Sequence, residues 1–242
     1  MPETPAAPGP LLVLVAMPEE AAPLVERLAA PRPLETPFTS GVEAVRGTLA
    51  GTDTAVVTTG IGLAAAAAAV TWGILATAPS LVVAAGTCGG LAADVEVGTL
   101  VVGEEFSYSI ADATAFGYAP GQLPGGPVRF RAETAAVEAA EAAARRADAA
   151  AVRRGLMLSG DAFVTAPLAG PMRERFPGAL SADMETTASA RTAQALGVPF
   201  VALRAVSDLC GPAAGQQFHL ELDVAATASA RAVEALAEGL AG

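Results

Sequence analysis

The sequence predicts one α/β domain with a central β-sheet flanked by helices. Three observations carry that prediction: short apolar runs alternate with alanine-rich stretches, glycine-containing turns sit where the runs end, and no repeat, linker or composition break divides the chain. With 242 residues, 52% of them apolar, there is ample material for one large core.

Leu11 to Ala16 is an uncharged apolar run, as a buried strand requires, and Met17-Pro18-Glu19-Glu20 opens a helix whose early acids suit its N-terminal dipole. Val42 to Ala50 and Thr54 to Thr59, joined around Gly51-Thr52, read as paired strands. After Gly60-Ile61-Gly62 an alanine-rich helix runs to about Ala78, and Leu81 to Ala85 returns as a buried strand before the loop Gly86-Thr87-Cys88-Gly89-Gly90. Leu100 to Val102 is the next strand, followed by a long loop through Gly117, Gly121, Gly125 and Gly126, a length usually associated with function or interfaces. Glu133 to Ala151 reads as a helix, with Glu141 four residues before Arg145. Gly155 to Ser159 is a strand that turns through Gly160-Asp161-Ala162-Phe163. Glu185 to Leu196 is a helix stopped by Gly197, and Pro199 to Val206 is the last core strand, ending at Ser207-Asp208. Ala225 to Leu240 closes the chain as an amphipathic helix. Residues 1–10 lack a basic region and read as a flexible leader rather than a signal peptide, leaving 11–242 as the domain. In open α/β sheets ligands collect beyond the carboxyl ends of strands, which gathers Glu19, Glu20, Gly60 to Gly62, Gly86 to Gly90, Phe163 and Asp208 on one rim.

Composition removes several kinds of chemistry. A net charge of −11 makes nucleic acid and anionic membranes poor partners. All 14 basic residues are arginine, so neither a Schiff-base lysine nor a P-loop lysine is present. His219 is the one histidine, which excludes a His-rich metal site, routes any Ser-His-Asp triad through that single residue, and favours carboxylates as the acid and base of catalysis near neutral pH. Cys88 and Cys210 cannot form a disulfide framework, and a reducing, cytoplasmic location is the default. The uncharged stretch between Asp53 and Asp94 is mostly alanine broken by Gly60, Gly62, Gly73, Pro79 and Ser80, a pattern of buried core rather than a membrane span.

Gly60-Ile61-Gly62-Leu63-Ala64-Ala65 matches the GxGxxA form of a dinucleotide fingerprint, but the acid needed about 20 residues later is missing. Glu19, Glu20, Glu185 and Asp208 each have a plain structural reading, as helix-start acids or a strand cap. Their occurrence together at element ends on one rim favours a shared site.

Seven motifs occur in order: Ala16-Met17-Pro18-Glu19-Glu20, Thr59-Gly60-Ile61-Gly62, Gly86-Thr87-Cys88-Gly89-Gly90, Thr114-Ala115-Phe116-Gly117-Tyr118 with Gly121-Gln122-Leu123-Pro124, Ser159-Gly160-Asp161-Ala162-Phe163, Asp183-Met184-Glu185, and Arg204-Ala205-Val206-Ser207-Asp208. Together, over about residues 11 to 240, they resemble bacterial 5′-methylthioadenosine/S-adenosylhomocysteine nucleosidases of the nucleoside phosphorylase superfamily. The resemblance implies a single-domain nucleoside phosphorylase-like fold with a mixed sheet, no cofactor or metal, and hydrolysis of the N-glycosidic bond of an adenine nucleoside. It implies Asp208 as the general acid toward adenine N7, oriented by Ser207, Glu20 as the carboxylate that activates water, and Glu185 as the acceptor for ribose hydroxyls. Met184 packs on the ribose, Phe163 stacks on adenine, and the Val164 backbone bonds the base edge. Met17, Ile61 and Thr87 floor the ribose and its 5′ substituent. Phe116 and Pro124 match residues contributed across a homodimer interface.

Related phosphorylases carry phosphate-binding arginines where this chain has Glu19-Glu20 and Ala84-Ala85, which favours water as the nucleophile. Arg204 keeps both a rim role and a buried structural role open. The chain departs from the family pattern in a longer segment over Leu209 to Gln217, in an aromatic that aligns with either Phe218 or Leu222, and in Ser107-Tyr108-Ser109-Ile110, which lacks a histidine often found nearby. His219 reads as a loop or helix-start residue, and Cys88 and Cys210 as buried fillers. Three alternatives stay open: a hydrolase of aminodeoxyfutalosine or another 5′-modified purine nucleoside, a purine nucleoside phosphorylase, and a nucleoside-binding sensor.

Overall fold

The structure, a computed structural model, describes residues 9–147 and 151–241. Positions 1–8 of the expected leader lie outside the described residues. Gly9 and Pro10 are tied to the domain, since Ser80 donates its hydroxyl to the Gly9 carbonyl at 2.7 Å and its amide to the Pro10 carbonyl at 3.0 Å.

In chain order the elements are β1 (Leu11–Val15), α1 (Pro18–Val25), β2 (Ala29–Pro33), β3 (Glu43–Leu49), β4 (Thr52–Thr58), α2 (Leu63–Thr77), β5 (Leu81–Gly90), β6 (Leu100–Tyr108), β7 (Phe130–Arg131), α3 (Thr134–Arg146), β8 (Val152–Ser159), α4 (Ala166–Arg175), β9 (Ala179–Asp183), α5 (Thr186–Ala195), β10 (Phe200–Asp208) and α6 (Ala214–Ala241). They build one mixed sheet in the order β10-β6-β8-β9-β5-β1-β4-β3-β2, and β10 also pairs with β5. That extra pairing closes β5, β10, β6, β8 and β9 into a ring, with β1, β4, β3 and β2 as an extension. The free end of the extension, β2, carries Pro31 and Pro33 and is exposed along its length.

Strand alternation divides the core into two layers. Leu11, Val13 and Val15 face one cluster, with Leu24 of α1, Val137 of α3 and Val233 of α6; Leu12 and Leu14 face the other, with Val70 and Ile74 of α2 and Ala190 of α5. Strand β5 divides in the same way, Leu81, Val83 and Ala85 on one side and Val82 and Ala84 on the other. Being buried on both faces, these strands carry no polar alternation.

The structure departs from the sequence expectations where pairing outweighs local signals. Gly86 to Gly90, expected as a loop, continue β5, because Gly89 and Gly90 pair antiparallel with Ala182 and Ser181 of β9. Strand β6 extends past Val102 to Tyr108, held by β8 as far as Ser159. The helix expected over Glu133 to Ala151 ends at Arg146; positions 148–150 lie outside the described residues, and the Ala151 carbonyl already accepts from Leu100 N at 2.9 Å as the chain rejoins the sheet. Helix α6 starts at Ala214 instead of Ala225, so Ala214 to Gln217 of the expected loop are helical.

Leu12 is fully buried between β1 and α2, where its methyls lie 3.0 and 3.3 Å from the position a Cβ would take on Gly73. Truncating it leaves a cavity that a closely packed helix cannot collapse to fill. Leu12→Ala should lower unfolding free energy by about 2–5 kcal/mol, read from denaturant midpoints at unchanged m-value.

Candidate active site

The ring closure draws the ends of β1, β5, β9 and β10 around a cavity of about 260 Å³. Ten of the residues singled out from the sequence line it: Met17, Glu20, Ile61, Thr87, Phe163, Met184, Glu185, Ser207, Asp208 and Phe218. Asp183 and Arg204 join them. An annex of about 40 Å³ lies beside Asp208, bounded by Gly89, Phe163, Val164 and Cys210. Val164 therefore adjoins the main cavity without lining it. Phe116, 83% exposed, and Pro124, also exposed, lie outside both, and Leu222 lines neither.

Glu20 serves both the helix and the cavity. It is the third residue of α1, after Pro18 at the first position, and its Oε2 accepts from the Ala16 amide at 2.8 Å and the Met17 amide at 3.2 Å, satisfying donors at the helix start. Its Oε1 accepts from the Thr87 amide at 2.7 Å and the Thr87 hydroxyl at 2.8 Å. Four donors thus hold a carboxylate that is 1% exposed. Gly86 makes the approach possible: at φ +105° it adopts a conformation open chiefly to glycine, and a Cβ there would sit 2.5 Å from the Glu20 carboxylate carbon.

Glu185 precedes α5, but it does not cap that helix. Asp183 does so: its Oδ1 accepts from the Glu185 amide at 3.0 Å, the Thr186 amide at 2.9 Å and the Ser159 hydroxyl at 2.7 Å. The Glu185 side chain is thereby released to the cavity, where its Oε1 accepts from the Gly62 amide at 3.0 Å and its Oε2 from Arg204 Nη2 at 3.4 Å. Burial pushes the Glu185 carboxyl up to about 7, opposed by the charge of Arg204 and the Gly62 amide and reinforced by Asp183 and Glu20.

Arg204, left open by the sequence, belongs to the buried network. It is 2% exposed, donates to the Thr87 carbonyl at 2.8 Å, and places Nε 3.6 Å from Asp183 Oδ2. Burial works against its charge, yet the facing carboxylates Asp183, Glu185 and Glu20 raise its pKa, so it stays a cation.

Asp208 ends β10, 2% exposed. Burial raises its pKa, against the Cys210 amide, which donates to Oδ1 at 3.0 Å, and the Ser207 hydroxyl 3.1 Å from Oδ2. Ser207 Oγ also lies 3.3 Å from the Cys88 carbonyl. With its proton on that carbonyl, the hydroxyl accepts from a protonated Asp208, an arrangement suited to storing a neutral acid. Burial pushes the Cys88 and Cys210 thiols upward as well, which suits fillers rather than nucleophiles.

Phe163 and Phe218 meet edge to face at the cavity, ring centroids 5.7 Å apart, and Met17 and Ile61 complete its apolar side. A larger apolar groove of about 780 Å³ runs between α2 and α5, lined by Leu63, Ala67, Tyr108, Ile110, Leu123 and Leu196 among others. Among the described residues no group of three His, Cys, Asp or Glu side chains is placed to hold a metal ion, and no helix is long and apolar enough to cross a membrane. The signal that the sequence reading passed over is Asp183: an acid directly before a helical run is a capping residue, and here the cap sets the direction of its catalytic-site neighbour.

A family profile described as Phosphorylase superfamily matches residues 10–238. A 5′-methylthioadenosine/S-adenosylhomocysteine nucleosidase from Neisseria meningitidis, solved in complex with methylthio-immucillin-A, superposes with a TM-score of 0.91 at 36% identity, covering 96% of this chain and 99% of that one. The nucleosidase from Colwellia psychrerythraea, solved in complex with adenine, gives 0.89 at 32% identity over 96% of this chain and 95% of that one. That from Streptococcus pneumoniae, solved with a transition-state inhibitor, gives 0.87 at 29% identity over 95% and 99%.

Gly86→Ala tests the seating of Glu20. The added methyl meets a carboxylate fixed by four donors, and the backbone there disfavours an L side chain. Catalytic turnover should fall by about tenfold or more, an effect of about 1.4 kcal/mol or more on the barrier. A melting temperature measured alongside should shift by only a few degrees.

Proposed function

The chain belongs to the phosphorylase superfamily and to its 5′-methylthioadenosine/S-adenosylhomocysteine nucleosidase family, and from that premise we propose that it hydrolyses the N-glycosidic bond of those two nucleosides, releasing adenine and the 5-thioribose product. The observation that carries the proposal is a single cavity bounded by a buried acid whose pKa burial raises, Asp208, and by two further carboxylates, Glu20 and Glu185.

In this reading Asp208 gives its proton to adenine N7 as the glycosidic bond lengthens, which turns the base into a neutral leaving group. Ser207 holds the acid in place until transfer. Positive charge then develops on the ribosyl ring, where ionised Glu185 stabilises it while accepting from the ribose hydroxyls. Glu20 receives a proton from the attacking water. Of its four donors, the Thr87 hydroxyl is the one able to rotate away and free an Oε1 lone pair for that water. Met184 packs against the sugar, Met17 and Ile61 take the 5′ substituent, and Phe163 stacks on adenine while the Val164 backbone reads its edge in the annex.

Water rather than phosphate is the nucleophile. A phosphate needs forked cationic donors, and among the described residues Arg204 is the one arginine lining the cavity. That guanidinium already donates to the Thr87 carbonyl and to Glu185, and it faces Asp183 at 3.6 Å. The exposed Phe116, and a separate apolar groove lined by Leu123 and Ile110, support a homodimer in which Phe116 and Pro124 reach the partner's pocket. Two buried, unpaired thiols are compatible with a reducing cytoplasmic setting.

In phosphate-free buffer the protein should release adenine from methylthioadenosine and adenosylhomocysteine. Release that depends on added phosphate would instead make it a phosphorylase, and tight binding without release would make it a sensor. Asp208→Asn should bind substrate yet lose about 10²–10⁴-fold in kcat, the usual range for a general acid.

The pH profile of kcat/KM follows from two opposite requirements. Glu185 must be ionised, so activity falls as pH drops through about 7 and its proton returns. Asp208 must be protonated, so activity falls as pH rises through its pKa, which burial raises. The acid limb should move to lower pH in kcat, because bound ribose hydroxyls donate to ionised Glu185 and favour it. A profile flat from pH 5 to 8 would remove Glu185 from this role. Phe116→Ala should raise KM while the protein still elutes as a dimer; a monomeric wild type would overturn the shared pocket.

A further inference from the structure

We infer that Asp161 is a positioning residue: one carboxylate oxygen clamps the loop that carries Phe163 to the helix start that holds the Glu185 carboxylate. The inference rests on the nucleosidase reading, and it concerns a residue outside the cavity.

Two consecutive amides at the start of α2 have acidic partners from different parts of the chain. Gly62 N donates to Glu185 Oε1 at 3.0 Å, and Leu63 N donates to Asp161 Oδ1 at 2.7 Å. Helix α2 has no means of its own to satisfy these donors, because its capping residue is Gly62 and its first turn, Leu63-Ala64-Ala65, holds no acid. Asp161 supplies both the missing acceptor and the negative charge that a helix start favours. The fit is close: at Gly62, whose φ is +106°, a Cβ would stand 3.0 Å from Asp161 Oδ1.

The connection matters because of what lies on either side. Asp161 is two residues before Phe163 and three before Val164, and Gly160 is held to the sheet by its amide on the Asp183 carbonyl at 3.1 Å. On the far side, Ile61 lines the cavity and Gly62 holds Glu185. The short loop is therefore pinned at one end to the residue that caps α5 and by its next side chain to α2. On the side away from α2 the loop is anchored by buried Val164 and by the edge contact of Phe163, 44% exposed, with Phe218, so the second pin fixes the side toward α2. Asp161 acts through others and touches no reacting atom.

The test uses the full-length protein, with adenine release and adenine binding by calorimetry measured separately. Asp161→Ala should raise KM and the adenine Kd about tenfold while changing kcat less than about threefold, since the stacking surface is lost from uniform binding and the acid is untouched. Asp161→Asn, which keeps an acceptor oxygen, should restore most of both. Leu63→Pro removes the donated N–H at a position where proline suits a helix. It should reproduce the rise in KM, and the double variant with Asp161→Ala should show no further rise. Unchanged KM and adenine Kd in Asp161→Ala would overturn the inference. So would additive effects in the double variant, or an equal loss in Asp161→Asn. A wild type that binds adenine but releases none from any nucleoside would overturn the nucleosidase reading instead, and the adenine Kd of the variants would still decide the clamp.

Discussion

Everything at this site follows from crowding four carboxyl groups, Glu20, Asp183, Glu185 and Asp208, around one guanidinium, Arg204, with the side chains nearly out of contact with solvent. If all four were ionised the cluster would carry −3, and charge of one sign is not tolerated at that density away from water. Ionisation is therefore costly here, and the hydrogen bonds that offset it are shared unequally. Glu20 accepts from four donors, and Asp183 from three on one oxygen with Arg204 near the other. Asp208 and Glu185 have fewer, and burial raises both.

The ring of strands makes that crowding possible. An open sheet would spread the ends of β1, β9 and β10 along a rim, whereas the β10–β5 and β5–β9 pairings bring them around a common centre. Strand β5 is the common member and carries the site's tightest constraints: Gly86 beneath Glu20, Thr87 bonded to it, and Gly89 at a point where a side chain would meet both Asp208 and the Cys210 sulfur. The glycines serve the strand and the chemistry at once.

That dual use explains what could be read beforehand. The strand-end acids were legible because each sits in a short ordered motif, and Glu20, Glu185 and Asp208 do line one cavity. The extension of β5 through its glycines was not, since local propensity reads a glycine run as a turn and its pairing partner lies near residue 182. Helix α4, with Pro171 inside it, and strand β9, only five residues long, gave no usable periodicity. The end of α3 was hidden in a run of alanine with no glycine or proline stop. Asp161 and Asp183 escaped notice as site residues because their effect passes through backbone amides, one of them in an element 98 residues distant along the chain.

Closure of the sheet has one more effect, at the far end of the strand order. A ring has no border, so the extension leaves β2 as the terminal strand on the path, the place where a neighbouring molecule could add its own strand. Pro31 and Pro33 remove two donors from that strand, and Ala30, at φ +50°, breaks its regularity. Self-association by strand addition is thereby discouraged at the terminus of this path.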